Sequence, residues 1–124
     1  MGNGLPVNIR NLSIQNTGPI GDNTVTLLNS LNISNDLSIN SGRLDLLNFT
    51  ANNNSGTGTF SIASNASLRV GGTNNLQTAI NSYSSYNVDP SSTIEFYGLL
   101  GENQTISTRW NISGRNILRQ KCRC

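Results

Sequence analysis

Asn35-Asp36-Leu37-Ser38-Ile39-Asn40-Ser41-Gly42-Arg43-Leu44-Asp45-Leu46 holds two apolar–polar–apolar triplets joined by an Asn-Ser-Gly turn. Period-two alternation sends both apolar side chains of a triplet to one face and the polar one to the other. The same unit stands at Leu12-Ser13-Ile14, Leu31-Asn32-Ile33, Phe60-Ser61-Ile62, Leu68-Arg69-Val70 and Ile94-Glu95-Phe96. A strand of roughly three to five residues buries only two side chains, too few to hold a sheet alone. Stacked copies remove that difficulty, because each Leu or Ile then rests on its equivalent in the next turn. Leu12, Ile14, Leu31, Ile33, Leu44, Leu46, Phe60, Ile62, Leu68, Val70, Ile94 and Phe96 are therefore expected to share one continuous core.

The connections agree with stacking. Asn52-Asn53-Asn54-Ser55-Gly56 and Gly71-Gly72-Thr73-Asn74-Asn75 are turn chemistry, since Gly and Asn tolerate positive φ and Asn bonds to nearby backbone. No Asn-Gly or Asp-Gly hairpin signal separates the triplets, which weighs against an antiparallel meander. Aligned Asn amides are also suited to hydrogen-bonded ladders between coils. Short and long gaps alternate between triplets, as three sides of a parallel β-helix with variable corner loops require. An all-β, right-handed parallel β-helix (solenoid) fragment of a few coils is the expected fold, with an antiparallel β-sandwich as the alternative.

One segment departs from the pattern. Leu76, Ala79, Ile80 and Tyr83 follow helical spacing, and Ser84 to Ser91 reads as a loop in which Pro90 stops any regular element before the strand at Thr93. Residues 74–91 are thus expected to form an excursion from a solenoid module spanning 1–108. Tyr83 and Tyr86 on this excursion are the candidate partner or glycan contacts, against the plainer reading that they cover apolar surface beneath the loop.

Composition narrows the chemistry. Asn 21, Ser 16, Gly 12 and Thr 11 make up nearly half of the 124 residues, and His is absent. Without imidazole there is no Ser-His-Asp triad, no His-ligated metal and no switch near neutral pH. The net charge of +2 divides unevenly: 1–108 carries −3 and 109–124 carries +5. The body has no electrostatic footprint for a phosphate backbone, so no nucleic-acid partner is expected. The basic end is read as a poorly packed tail that does not continue the solenoid, with Trp110 able to cap its last coil. Cys122 and Cys124, one residue apart, are poorly placed for a disulfide and too few for a metal site.

No stretch approaches the roughly 18 apolar residues of a membrane helix, so membrane insertion is not expected. Met1-Gly2-Asn3-Gly4-Leu5-Pro6 lacks a signal-peptide pattern, yet the composition suits an exported surface protein. Together these imply a piece of a longer exported chain, extracellular or at the cell surface.

The stretch Asn35–Leu46 resembles the recurring L-x-I-x-S-G-x-L-D-L unit of large secreted β-helical repeat proteins of the Bacteroidetes. Phe60-Ser61-Ile62, Ala66-Ser67-Leu68-Arg69-Val70-Gly71-Gly72-Thr73 and Ser92-Thr93-Ile94-Glu95-Phe96-Tyr97-Gly98 are similar to its continuation. Those proteins resemble autotransporter and filamentous-haemagglutinin surface passengers. The resemblance covers about residues 7–107, implies a right-handed parallel β-helix at the cell surface, and carries over no catalytic residue.

Other sites fail on their residues. Gly56-Thr57-Gly58-Thr59-Phe60-Ser61 lacks the third glycine of a nucleotide loop, and Gly71-Gly72-Thr73-Asn74 does not continue a calcium repeat. Asp36 and Asp45 are read as solvated carboxylates, with nothing to fix the separation a glycosidase needs. The expectation is a structural or adhesive module, no enzyme, with no catalytic, cofactor or metal site. Surface glycans or neighbouring solenoid modules are its candidate partners, and end-to-end self-association is allowed. The alternatives are a carbohydrate-binding or polysaccharide-active fragment, and an extracellular filament subunit.

Overall fold

A computed structural model describes residues 6–19, 22–72 and 76–97, and the backbone of Asn116–Arg119. The first coil comprises β1 (Asn8–Ile9), β2 (Leu12–Gln15) and β3 (Thr24–Thr26). The second comprises β4 (Leu31–Ile33), β5 (Leu37–Ser41) and β6 (Arg43–Asp45). In the third, β7 (Ala51–Asn53), β8 (Thr59–Ile62) and β9 (Ser67–Gly71) repeat the order. A helical turn α1 (Leu76–Ala79), β10 (Ser85–Val88) and β11 (Thr93–Tyr97) follow, and then β12 (Asn116–Arg119).

Equivalent strands pair in parallel, so the three sides become three sheets: β1-β4-β7, β2-β5-β8-β10 and β3-β6-β9-β11-β12. This is a parallel β-helix. The antiparallel sandwich is excluded, since every strand pairing among the described residues is parallel.

Register puts like on like. Leu12, Leu37, Phe60 and Tyr86 align along the second sheet, as do Ile14, Ile39, Ile62 and Val88. Val25, Leu44, Leu68 and Ile94 align along the third. All twelve residues assigned to the core from alternation are buried, and those of the second and third coils are almost fully so. The stacked side chains of the second and third coils therefore touch protein both above and below, which is how strands this short acquire a core.

The excursion at 74–91 is corrected in its second half. Ser85–Val88 is a strand of the second sheet, registered Tyr86 on Phe60 and Val88 on Ile62, so the chain here stays on the solenoid. Its polar residues simply take the outward positions. Only α1 departs, standing where a fourth strand of the first sheet would lie. It is tied to β7 through Asn52, whose Nδ2 donates to the Thr78 carbonyl at 3.0 Å and whose Oδ1 accepts from Asn81 N–H. Ala79, Ile80 and Tyr83 fill the core beneath.

The expected tail is corrected at one place. The backbone of Asn116–Arg119 pairs in parallel with Thr93–Phe96 and extends the third sheet within 109–124. An exposed strand edge offers unpaired N–H and C=O groups whatever the side-chain pattern of the segment that meets it. Trp110, Cys122 and Cys124 lie outside the described residues.

One close approach shows why a turn needs its glycine. At Gly58 φ is +82°, and a Cβ there would fall 1.9 Å from the carbonyl oxygen of Asn35 in the coil above.

Candidate functional site

Three outward faces are available, and their chemistry differs. The first sheet carries an asparagine row, Asn8, Asn32 and Asn52 in register, with Asn32 Nδ2 donating to Asn8 Oδ1 at 3.0 Å. At the corner that follows, Asn35 Nδ2 donates to Asn11 Oδ1 at 2.8 Å. These are the amide ladders expected between coils. Inside, Asn53 takes the position that Ile33 holds one coil above. It is buried yet satisfied, donating to the Asn35 carbonyl and accepting from Ser55 N–H, both at 2.9 Å. Asn52 and Asn53, expected in a turn, are therefore strand residues.

The second sheet carries Ser13, Ser38, Ser61 and Asn87 in one row. Beside it, Thr59 and Ser85 hydroxyls bond at 2.9 Å. The β2–β5 register slips after Ile14, so Asn40 is an extra residue that projects outward and donates to Ser13 Oγ at 2.9 Å. Neither row includes a charge.

The third sheet holds the ions. Asp45, Arg69 and Glu95 align on successive strands. Arg69 Nη1 lies 3.3 Å from Asp45 Oδ2, and its Nε lies 3.0 Å from Glu95 Oε2 without the alignment of a hydrogen bond. Its guanidinium sits 4.0 Å from the centroid of the Tyr97 ring. Tyr97, from the fourth coil, reaches across the third to donate its hydroxyl to Asp45 Oδ1, which also accepts from Leu47 N–H at 2.9 Å. Gly71 makes the reach possible, because a Cβ there would lie 2.8 Å from Tyr97 Cζ. Burial, the bond to Asp45 and the nearby carboxylate charges raise the Tyr97 phenol well above its ordinary range, partly opposed by Arg69.

Asp45 is thus not the solvated carboxylate expected from alternation. It does project outward, but Arg69 and Tyr97 cover it and leave it 5% exposed. The partners come from 24 and 52 residues away, which no local pattern reveals. Asp36 is half-buried, its Oδ1 accepting from Thr59 N–H at 2.8 Å. Neither acid faces the other across an open site.

Of the two aromatic candidates, Tyr83 is corrected. It is a core residue, 6% exposed, donating its hydroxyl to the Ala51 carbonyl at 2.8 Å. Burial chiefly, with Tyr86 and Asp36 nearby, raises its phenol as well. Tyr86 is half-buried, and the rings of Phe60, Tyr83 and Tyr86 lie about 6 Å apart in a tilted trio. The trio lies at the edge of the core, where the Tyr86 hydroxyl donates to the Ile80 carbonyl at 3.3 Å. No group of three or more His, Cys, Asp or Glu suited to a metal occurs among the described residues. No helix there is long and apolar enough to cross a membrane. Comparison with protein-family models, curated proteins and solved structures finds no match.

Proposed function

We propose that this chain is a structural module of an extracellular or cell-surface protein, presenting an uncharged hydroxyl and amide face to glycans or neighbouring modules, without catalysis. The observation that carries the reading is the division of labour among the three faces. The third sheet ties Asp45 and Glu95 to one arginine, so neither stands free as an acid–base group. The second sheet leaves Ser13, Ser38, Ser61 and Asn87 in an unbroken row spaced by about 4.8 Å, the separation of paired strands. Such a row suits repeated, weak hydrogen bonding to a polyhydroxylated surface. The stacked coils supply stiffness, and the core residues serve that stiffness.

The test is location. An antibody raised against this segment should label intact source cells, or capture a longer chain from their medium, and brief protease treatment of intact cells should remove the signal. Labelling only after permeabilisation overturns the proposal.

End-to-end association is a second reading with its own observation. All three strands of the first coil, β1, β2 and β3, end their sheets and carry a strand partner on one side only among the described residues. Such edges pair readily with another chain. Concentration-dependent mass in sedimentation, lost on placing a proline at Ser13, is the expected result for this reading.

A further inference from the structure

The outward face of the second sheet is not flat throughout. Where the second sheet turns toward the third, a cleft of about 250 Å³ opens among Asn40, Ser61, Ala63, Ser64, Asn87 and Asp89. Its origin is local. Ala63 presents a methyl group, while Asn40 in the second coil and Asp89 in the fourth stand on either side of it. The wall residues are thus about two strand spacings, or about 10 Å, apart. The register slip that makes Asn40 an extra residue supplies the upper wall.

We propose that this cleft is a binding site for one neutral sugar residue, recognised through Asn40, Ser61, Asn87 and Asp89. The inference rests on the reading of the second sheet as the glycan-facing side. The lining decides the ligand class by elimination. None of the lining residues is basic, so an anionic sugar or phosphate finds no counter-charge. Asp89 is the one carboxylate among them, too few for a divalent cation that takes six to eight oxygens. Ile62 and Ala63 are the only apolar members, so an apolar ligand would leave most of the wall unpaired.

Vicinal hydroxyls fit what remains. Asp89 Oδ1 accepts from Ser91 N–H at 2.7 Å, which fixes the carboxylate, and Oδ2 has no hydrogen bond among the described residues. That oxygen can accept from a sugar hydroxyl. Asn87 is exposed on the neighbouring strand position, and its amide both donates and accepts. Asn40 lines the cleft with its side chain held by the Nδ2 bond to Ser13 Oγ. The backbone beneath is rigid, because Asp89 N–H donates to the Ile62 carbonyl at 2.9 Å and Ala63 N–H to the Ile39 carbonyl at 2.9 Å. A preformed wall lowers the ordering cost of binding.

The experiment is an amide-resolved NMR titration of the whole chain with methyl glycosides of glucose, galactose, mannose and N-acetylglucosamine, each alone. At least one should give saturable shifts confined to Asn40, Ser61 to Ser64 and Asn87 to Asp89. Asn87→Ala and Asp89→Asn should each weaken that binding by about tenfold, and Ala63→Leu should fill the cleft and abolish it. Asp89→Asn keeps the oxygen that holds Ser91, so it separates binding from folding if Ala63→Leu fails to fold. No saturable shift with any of the four overturns the site, as do shifts that map to Ser13 and Ser38 instead. Shifts driven by calcium chloride alone, with none from the glycosides, also overturn it. Surface labelling of cells is independent of all these results, so loss of the site and loss of the proposed location are told apart.

Discussion

Leu68→Ala probes the stacking itself. Leu68 is fully buried and registered between Leu44 above and Ile94 below. Truncation removes three carbons, about 2.4 kcal/mol of transfer free energy at ~0.8 kcal/mol each. The hole that remains adds to this, because the spacing of the flanking coils is set by backbone hydrogen bonds and does not shrink to fill it. The total should be about 3–4 kcal/mol, within the range of buried Leu→Ala changes. Urea unfolding followed by far-ultraviolet circular dichroism measures it, with an unchanged slope confirming that compactness is retained. Ser38→Ala, on the outward side of the same architecture, should change stability by about 0.5 kcal/mol or less. A Leu68→Ala cost below about 1 kcal/mol would refute the claim that stacked side chains hold the coils together.

Asp45→Ala should cost about 2–3 kcal/mol, because it strands the Tyr97 hydroxyl and leaves Arg69 with one carboxylate, and Asp45→Asn should cost less by keeping an acceptor. Chemical denaturation of both variants checks the order. Gly58→Ala should be among the most damaging small changes, with thermal unfolding showing whether the fold persists, since its Cβ would meet the Asn35 carbonyl of the adjacent coil. Phenols whose folded-state pKa is raised add stability below the unfolded value, about pH 10, and lose it as pH climbs above that. Stability should therefore hold to about pH 10 and then fall, and Tyr83→Phe or Tyr97→Phe should make that alkaline loss shallower in pH-dependent unfolding.

The strands legible in the sequence were those with two aliphatic residues flanking one polar residue, such as Leu37-Ser38-Ile39 and Leu44-Asp45-Leu46. Their alternation carries the inward face without help from neighbours. Others were hidden for identifiable reasons. In Ala51-Asn52-Asn53 the inward positions hold a methyl group and a satisfied amide, so the segment looks like a turn until the coil above supplies the Asn35 carbonyl. Ser85-Tyr86-Asn87-Val88 does alternate, but its polar residues and the nearby Pro90 mask a strand whose partner, β8, begins 26 residues earlier. The ion cluster was illegible because it is assembled by register: Asp45, Arg69 and Tyr97 meet only after three coils have stacked. The cleft arises in the same way, from a small Ala63 between longer neighbours on other coils.

In-register parallel stacking is the central claim, and nuclear Overhauser contacts between methyl and aromatic groups test it most directly. The account predicts contacts from Leu37 to Phe60, from Ile39 to Ile62, and from Leu68 to both Leu44 and Ile94. Contacts pairing Leu37 with Ile62 and Ile39 with Phe60, without the in-register set, would mean antiparallel strands and contradict it.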